Sequence, residues 1–178
     1  MTVYSSKING HNVDDYSAFL SENSENVDAP LQEGLNYINW NNIVKKDSVV
    51  FVKPNFTFPT YMKGVTTRPS LLKKLLGLLK NRCDRLIVGE SNGGMNSFSA
   101  DEAFEGHKMH EICKETGSEL VNLSEMPARY IDSNIQGKNV KVQLPSLLLD
   151  EVDCLISVPV LKVHVMTGVS IGMKNLWG

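Results

Sequence analysis

The sequence predicts an α/β domain with a mostly parallel sheet and helices on both faces. Short apolar runs, typical of strands that are covered on both sides, recur along the chain. Helical patterns separate these runs, and such an alternation implies right-handed crossovers between parallel strands. The chain has 178 residues, of which 42% are hydrophobic. That length suits one domain with a sizeable core better than two domains.

The first 48 residues are a polar, asparagine-rich arm. A short strand is expected at residues 3–4. Apolar residues at helical spacing predict a helix over residues 30–39, with its proline in the first turn. We therefore expect two parts, the arm at 1–48 and the α/β domain at 49–178.

The pattern becomes stronger after the arm. Residues 48–52 form a continuous apolar, β-branched run that predicts the first buried strand, which Pro54 ends. Residues 69–80 carry a leucine stripe at helical spacing and begin with proline, so they predict an amphipathic helix. A second buried strand is predicted over 85–89.

The middle of the domain follows the same alternation. Residues 99–102 have the form of a capping box and open a helix that is predicted to end near Gly117, with Gly106 as a weak point inside it. A third strand is predicted over 119–123. Residues 139–144 alternate apolar and polar side chains, which predicts a half-exposed strand that is antiparallel or at an edge.

The last part of the sequence predicts a short helix over 147–151 and another buried strand over 154–158. Ligands of parallel sheets bind outside the carboxyl ends of the strands. Polar or charged residues follow the predicted strand ends here, namely Lys53, Asn55, Glu90, Ser91, Lys162 and His164. Because carboxyl ends of parallel strands share one edge, we expect these residues to converge on one crevice.

Two basic motifs suit an anion. Lys53 offers a compact positive charge for phosphate or carboxylate, and Asn55 can donate and accept hydrogen bonds. The alternative is a lysine that extends to solvent and an asparagine that closes a turn. Thr66 and Arg68 precede a predicted helix, where free N–H groups favour anions and the guanidinium could clamp one. The alternative there is a cap made by Thr66 or Thr67.

The loop that begins with Glu90 and Ser91 is glycine-rich but lacks the spacing of a P-loop or a dinucleotide fingerprint, so it does not predict ATP or NAD binding. Glu90 is the acidic candidate for a general base or metal ligand. The alternative is an exposed turn residue. Lys162 and His164 point the same way on an extended segment, and a histidine beside lysines suits a metal ligand or general base in its neutral form. The alternative is a solvent-facing pair.

The final motif strengthens the functional interpretation. Gly168 and Gly172 let the backbone fold closely, while Ser170, Lys174 and Asn175 contribute polar groups. A glycine-flanked nest of N–H groups binds anions.

Composition excludes several classes of function. The net charge is −2 and the pI is near 6.1, so nucleic acid is not an expected partner. The chain has three cysteines, Cys83, Cys113 and Cys154, and they form no C-x-x-C motif. This spacing argues against a zinc ribbon or an iron–sulfur cluster held by this chain alone. The sequence shows neither a signal peptide nor a membrane-length apolar run, so we expect a cytoplasmic protein that does not bind membranes.

Five motifs together resemble a known family: Val50–Asn55, Thr66–Pro69, Ile87–Ser91, Pro159–His164 and Thr167–Gly178. In this order they are similar to the family called domain of unknown function 362. The resemblance implies a fold and a set of site residues but no reaction. Relatives commonly continue beyond the last motif and often carry an iron–sulfur segment. We therefore expect the chain to be the incomplete N-terminal part of a longer protein.

Three hypotheses on function follow. The first is an enzyme that binds an anionic small molecule, with Glu90 and His164 as an acid/base pair or as ligands of one divalent metal. The candidate binding residues are Lys53, Asn55, Thr66, Arg68, Ser91, Lys162, Lys174 and Asn175. The second is an accessory protein for electron transfer or cofactor assembly, whose partner is an iron–sulfur domain or the missing C-terminal part. The third is a non-catalytic binding or scaffold domain.

Overall fold

The structure is a computed structural model that describes residues 18–22 and 26–177. The chain divides into two compact units, residues 1–43 and residues 44–178. The short strand expected at residues 3–4 lies outside the described residues. The described strands are β1 (Val49–Lys53), β2 (Arg85–Glu90), β3 (Glu119–Asn122), β4 (Ala128–Ile135), β5 (Lys138–Pro145), β6 (Cys154–Ser157), β7 (Lys162–His164) and β8 (Gly168–Ser170). The described helices are α1 (Asp28–Tyr37), α2 (Trp40–Ile43), α3 (Pro69–Leu79), α4 (Ala100–Gly106), α5 (Met109–Thr116), α6 (Ser146–Asp150) and α7 (Gly172–Trp177).

The first unit contains α1 and α2. The helix expected over residues 30–39 is observed at Asp28–Tyr37. It begins two residues early because the carboxylate of Asp28 is favourable in a first turn, where Pro30 is also tolerated. Within the same unit, the ring of Phe19 lies 5.9 Å from the ring of Tyr37.

The second unit is built on a parallel sheet, and the predicted α/β class is confirmed. Its strand order is β3-β2-β1-β6, and every neighbouring pair runs parallel. The carboxyl ends of β1, β2 and β6 therefore lie at one edge, with Lys53 and Glu90 as the last residues of β1 and β2. The two residues end their strands rather than follow them, because β1 lies one residue later than the predicted 48–52 and β2 extends one residue beyond the predicted 85–89.

Both faces of the central strands are buried. Phe51 and Ile87 lie on one face and pack with Leu123 and with Leu147 of α6. Alternation along β1 turns the side chain of Val50 to the opposite face, where it is fully buried. Burial on both faces explains why these strands are continuous apolar runs in the sequence.

Helices supply much of the remaining core. Four buried leucines of α3 form the stripe that the sequence predicted, namely Leu72, Leu75, Leu76 and Leu79. Helix α3 packs against α5, and α5 packs against β3. The leucine stripe is therefore core, and the lysines between the leucines face outward.

One glycine permits close packing at the site end of β2. A Cβ atom on Gly89 would lie 2.4 Å from the Phe51 ring and 3.1 Å from the carbonyl oxygen of Val121. Because neither the ring nor the backbone can withdraw without disturbing the core, this position takes glycine. The glycine thus lets the Phe51 ring reach the end of the strand that carries Glu90.

The prediction of a single helix between residues 100 and 117 is wrong, because two helices are observed there. The predicted capping box at Ser99 is present, but the helix breaks between α4 and α5, where Lys108 adopts a left-handed conformation with φ of 58°. A Cβ atom on Gly106 would lie 2.0 Å from the carbonyl oxygen of Pro59, so another loop crosses the chain at the break. Gly117 ends α5 with φ of 68°, as expected.

A hairpin joins β4 and β5, and β4 was not predicted. The strand over residues 139–144 is observed as β5, antiparallel to β4. The last sheet strand, β6, was predicted as buried but lies at the sheet edge, where Leu155 is 42% exposed. A second hairpin, β7-β8, and helix α7 follow, and α7 packs against β6 and β8.

Candidate functional site

A cavity of about 260 Å³ lies at the carboxyl ends of β1 and β2. Its walls come from the loops that follow these strands, from the β7-β8 hairpin and from α7. The lining residues are Lys53, Asn55, Phe56, Thr57, Glu90, Ser91, Asn92, Gly93, Gly94, Lys162, His164, Ser170, Lys174 and Asn175. Segments that are far apart in sequence therefore meet at one crevice, as the strand-end rule predicted.

The floor of this cavity is a buried ion pair. The ammonium group of Lys53 donates to Oε1 of Glu90, and each residue is only 5% exposed. Oε1 also accepts the N–H of Ser91 at 3.0 Å, and Oε2 accepts the N–H of Phe56 at 3.3 Å. The carboxylate therefore accepts three hydrogen bonds from groups at the two strand ends and is held in one orientation.

Burial dominates the electrostatics of Glu90. Loss of water raises the pKa of the Glu90 carboxyl, while the Lys53 ammonium and the two backbone N–H donors act in the opposite direction. A carboxyl with a raised pKa exchanges its proton closer to neutral pH than an exposed glutamate does. Glu90 is thus a group that could hold or release a proton inside the cavity.

Ring stacking fixes the loop after β1, which contains Phe56. The Phe56 ring stacks on His107 with a centroid distance of 4.0 Å. The Nδ1 atom of His107 lies 2.7 Å from the carbonyl oxygen of Ala103, and burial lowers the pKa of this imidazole. His107 is therefore a neutral packing partner that fixes Phe56, whose N–H in turn reaches Glu90.

Thr67 joins the loop after β1 to the end of β6. Its hydroxyl accepts the N–H of Asn55 at 2.7 Å and donates to the carbonyl oxygen of Val158 at 2.7 Å. The alternative of a threonine cap on α3 is wrong, because the N-cap residue is Arg68 and no side chain caps the helix. The hydroxyl of Thr67 is instead used to hold Asn55 in place.

Lys162 enters the cavity from β7 with its charge unbalanced by its partners. Its ammonium donates to Oδ1 of Asn55 at 3.0 Å and to the carbonyl oxygen of Val65 at 2.7 Å, and both acceptors are neutral. Burial lowers the pKa of Lys162, and the positive charge of Lys174 lowers it further. The two lysines are therefore close enough to repel each other.

His164 lies on the same side of β7 as Lys162, as their spacing predicted. Its Nδ1 atom accepts the N–H of Met166 at 3.2 Å and the N–H of Thr167 at 3.3 Å. An Nδ1 atom that accepts cannot carry the proton of a neutral ring, so we assign this proton to Nε2. The ring then offers the cavity a donor.

Asn175 anchors α7 to the sheet. It is 3% exposed, and its Nδ2 donates to the carbonyl oxygen of Lys53 at 3.3 Å and to Oγ of Ser157 at 3.0 Å. Ser170 on β8 is equally buried and pairs across the hairpin with Lys162. These polar groups position the lysines of the hairpin and helix over the strand ends.

Most of the predicted site residues line the cavity, and two do not. Lys53, Asn55, Glu90, Ser91, Lys162, His164, Lys174 and Asn175 are lining residues. Thr66 and Arg68 lie outside it. The hydroxyl of Thr66 accepts the N–H of Met62 at 2.9 Å and so closes a turn.

Ser157 does not line the cavity but supports a residue that does, and its role was not predicted from the sequence. Its signal is a lone hydroxyl at the end of an otherwise apolar strand, where it supports Asn175.

The described residues do not form a metal cluster. Within residues 18–22 and 26–177, no group of three histidine, cysteine, aspartate or glutamate side chains could hold an ion. Cys83, Cys113 and Cys154 are free thiols whose pKa values are raised by burial, and they do not line the cavity.

The described part of the chain contains no helix long and apolar enough to cross a membrane.

Comparison with known sequences gives one family, described as a domain of unknown function (DUF362), whose sequence model matches residues 50–178. No curated protein and no solved structure matches the chain.

Proposed function

The chain belongs to the domain of unknown function 362 family, whose description assigns no activity, and we propose that its α/β domain binds an anionic small molecule. The binding site is the cavity at the carboxyl ends of β1 and β2. The family match covers the lining residues, so the proposed site lies within the family's own domain.

The charge balance of the cavity carries this proposal. Among the described residues, three lysines and one carboxylate line it, and the carboxylate is already paired with Lys53. Lys162 and Lys174 therefore leave an excess positive charge in a partly enclosed space. Enclosure strengthens their attraction for an anion, because fewer water molecules screen the charges than at an open surface.

The donors on the walls suit oxygen atoms of a phosphate or carboxylate. Lys162 and Lys174 supply point charges, and the assigned Nε2–H of His164 supplies a directed donor. Gly93 and Gly94 line the same cavity and lack side chains, so a ligand could approach the backbone there.

The expected divalent metal is less well supported than an anion. Both oxygens of Glu90 already accept hydrogen bonds, one of them from the Lys53 ammonium. The Nδ1 atom of His164 is also occupied as an acceptor. The acceptor atoms of both residues are therefore engaged, and the two excess positive charges beside them repel a cation.

If the bound anion reacts, Glu90 is the group that would exchange a proton with it. Its raised pKa supports this role, and His164 would act as a donor rather than as a base. The accessory function beside an iron–sulfur module and the non-catalytic scaffold function stay alternatives. The excess positive charge favours binding over a scaffold, in which polar residues would only end strands.

The test is calorimetric titration of the full chain with inorganic phosphate and, separately, with sulfate. Lys174→Ala removes one excess charge and no hydrogen bond that the structure shows, so we expect roughly a tenfold loss of affinity, the effect of losing one charged contact of about 1.4 kcal/mol. Lys138→Ala removes an exposed lysine at the tip of the β4-β5 hairpin and is the matched control. Equal affinities of the two variants, or no binding of either anion, would overturn the proposal.

A further inference from the structure

A second cavity adjoins the first. It has a volume of about 420 Å³ and is built from β5, β6, α6 and α7. Lys53 of β1 and Ser91 of the loop after β2 line both cavities, so these two residues lie at the boundary between them. The second cavity therefore begins where the positively charged cavity ends.

The walls of this second cavity are largely apolar. Their apolar side chains are Leu123, Val142, Leu144, Pro145, Leu148, Leu155, Leu176 and Trp177. Leu155 is 42% exposed and Trp177 is 71% exposed, so apolar surface that the other described elements leave uncovered faces this space. Exposed apolar surface in a concave site of this size is typical of a small-molecule pocket.

We propose that the ligand is an amphipathic anion, with its phosphate or carboxylate group in the first cavity and an apolar, ring-sized body in the second. This inference rests on the proposed function and names its class of ligand. A ligand that spans both cavities passes Lys53 and Ser91, which lie at the junction. The apolar body gains affinity by covering the side chains of Leu155 and Trp177, while the charged cavity fixes the orientation.

The size of the two cavities favours one ligand over two. The first cavity is small, since about 260 Å³ falls below the usual range of roughly 300–1,000 Å³ for pockets that bury a drug-sized molecule. The second cavity lies within that range but has few charged groups, namely Lys53 and Lys141. Each cavity thus supplies what the other lacks.

The experiment compares three probes on the full chain: inorganic phosphate, phenyl phosphate and phenol. We expect phenyl phosphate to bind at least roughly tenfold more tightly than inorganic phosphate, and phenol to bind weakly. Trp177 reports on the second cavity by fluorescence, and a Trp40→Phe background removes the other tryptophan of the chain. Phenyl phosphate should change the Trp177 emission, whereas inorganic phosphate should not.

The variant for this test is Leu155→Asn, with Leu161→Asn as the matched control. Leu161 is 70% exposed and lines neither cavity. We expect Leu155→Asn to lower affinity for phenyl phosphate roughly fivefold and to leave affinity for inorganic phosphate unchanged. The control should change neither.

Two outcomes would overturn the inference, and they differ in what they say of the charged cavity. If phenyl phosphate binds no more tightly than inorganic phosphate while Lys174→Ala weakens both, the amphipathic ligand is wrong and the anion site stands. If Lys174→Ala weakens neither probe, both proposals fail.

Discussion

Two groups of lysines in one cavity differ in how their charge is balanced. Lys53 ends a strand of the sheet, is buried, and is paired with Glu90. Lys162 and Lys174 come from the hairpin and helix at the end of the described chain, and the hydrogen-bond acceptors of Lys162 are neutral. The charge of Lys53 is thus neutralised by Glu90, whereas the described residues show no carboxylate paired with Lys162 or Lys174.

The difference follows from where each lysine sits in the fold. A buried charge must be paired, because leaving it without a counter-ion costs several kcal/mol. A half-buried lysine keeps access to water and can keep an unbalanced charge at small cost to the fold. We therefore expect changes at the Lys53–Glu90 pair to affect stability first, and changes at Lys174 to affect binding.

The largest expected effect is on the buried pair. Glu90→Gln leaves the Lys53 ammonium without a counter-ion, so we expect the free energy of unfolding to fall by about 3–5 kcal/mol. Urea denaturation followed by circular dichroism measures this change.

The double variant Lys53→Met with Glu90→Gln is the matching control. It removes both charges, so its stability should exceed that of Glu90→Gln alone. If the double variant is as unstable as the sum of the two single variants, the pair is not coupled and the comparison fails.

A smaller effect is expected at Thr67, which joins the two regions. Thr67→Val keeps the shape but leaves the N–H of Asn55 and the carbonyl oxygen of Val158 without this partner, which should cost about 1–3 kcal/mol of stability. Thr60→Val, at an exposed position, should change stability by less than about 0.5 kcal/mol. Thermal unfolding compares the two variants, and equal melting temperatures would contradict the role of Thr67.

The smallest expected effect is a shift in pH dependence. Burial and Lys174 lower the pKa of Lys162 below its ordinary value of 10.5. Sulfate binding needs the charged form, so affinity should be full below the lowered pKa and should fall as pH rises through it. In Lys174→Ala the pKa of Lys162 rises, so the alkaline fall should move to higher pH although affinity near neutral pH is weaker.

Sulfate is the suitable probe because its own charge stays constant over the range from about pH 8 to pH 11, in which lysine groups titrate. The stability of the fold changes with pH in the opposite direction to sulfate affinity. The unfolded chain binds the proton more tightly than folded Lys162 does, so this residue makes the fold more stable as pH rises from the lowered pKa toward 10.5. An alkaline limit of binding that is identical in the two proteins would contradict the coupling of Lys162 with Lys174.

The sequence predicted the sheet well because buried parallel strands are apolar without interruption. It did not predict β4, whose residues are mostly exposed and follow no apolar alternation. The available signal in the sequence was Gly137. Glycine is favoured at positive φ, and Gln136 and Gly137 both have positive φ in a two-residue hairpin loop. Gly106 was identified as a weak point in the predicted helix, but the break before α5 was not predicted, because it depends on a loop that crosses at this glycine.

The site was predictable in position and not in its internal pairing. The rule on strand ends brought Lys53, Glu90 and His164 to one crevice from sequence alone. Which lysine neutralises Glu90 depends on side-chain directions at two strand ends, and a sequence does not specify those. Likewise, the role of Asn175 as an anchor depends on the carbonyl oxygen of Lys53, to which no motif points.

The strand order has a consequence for the way the protein acquires its cavity during synthesis. Lys162 meets an acceptor 107 residues earlier in the chain, and Asn175 meets one 122 residues earlier. Closing loops of this length is slow compared with the formation of local helices and hairpins. A ribosome must therefore release nearly the whole domain before the cavity can close, so a nascent chain that has reached only β3 has strands but lacks the residues that complete the cavity.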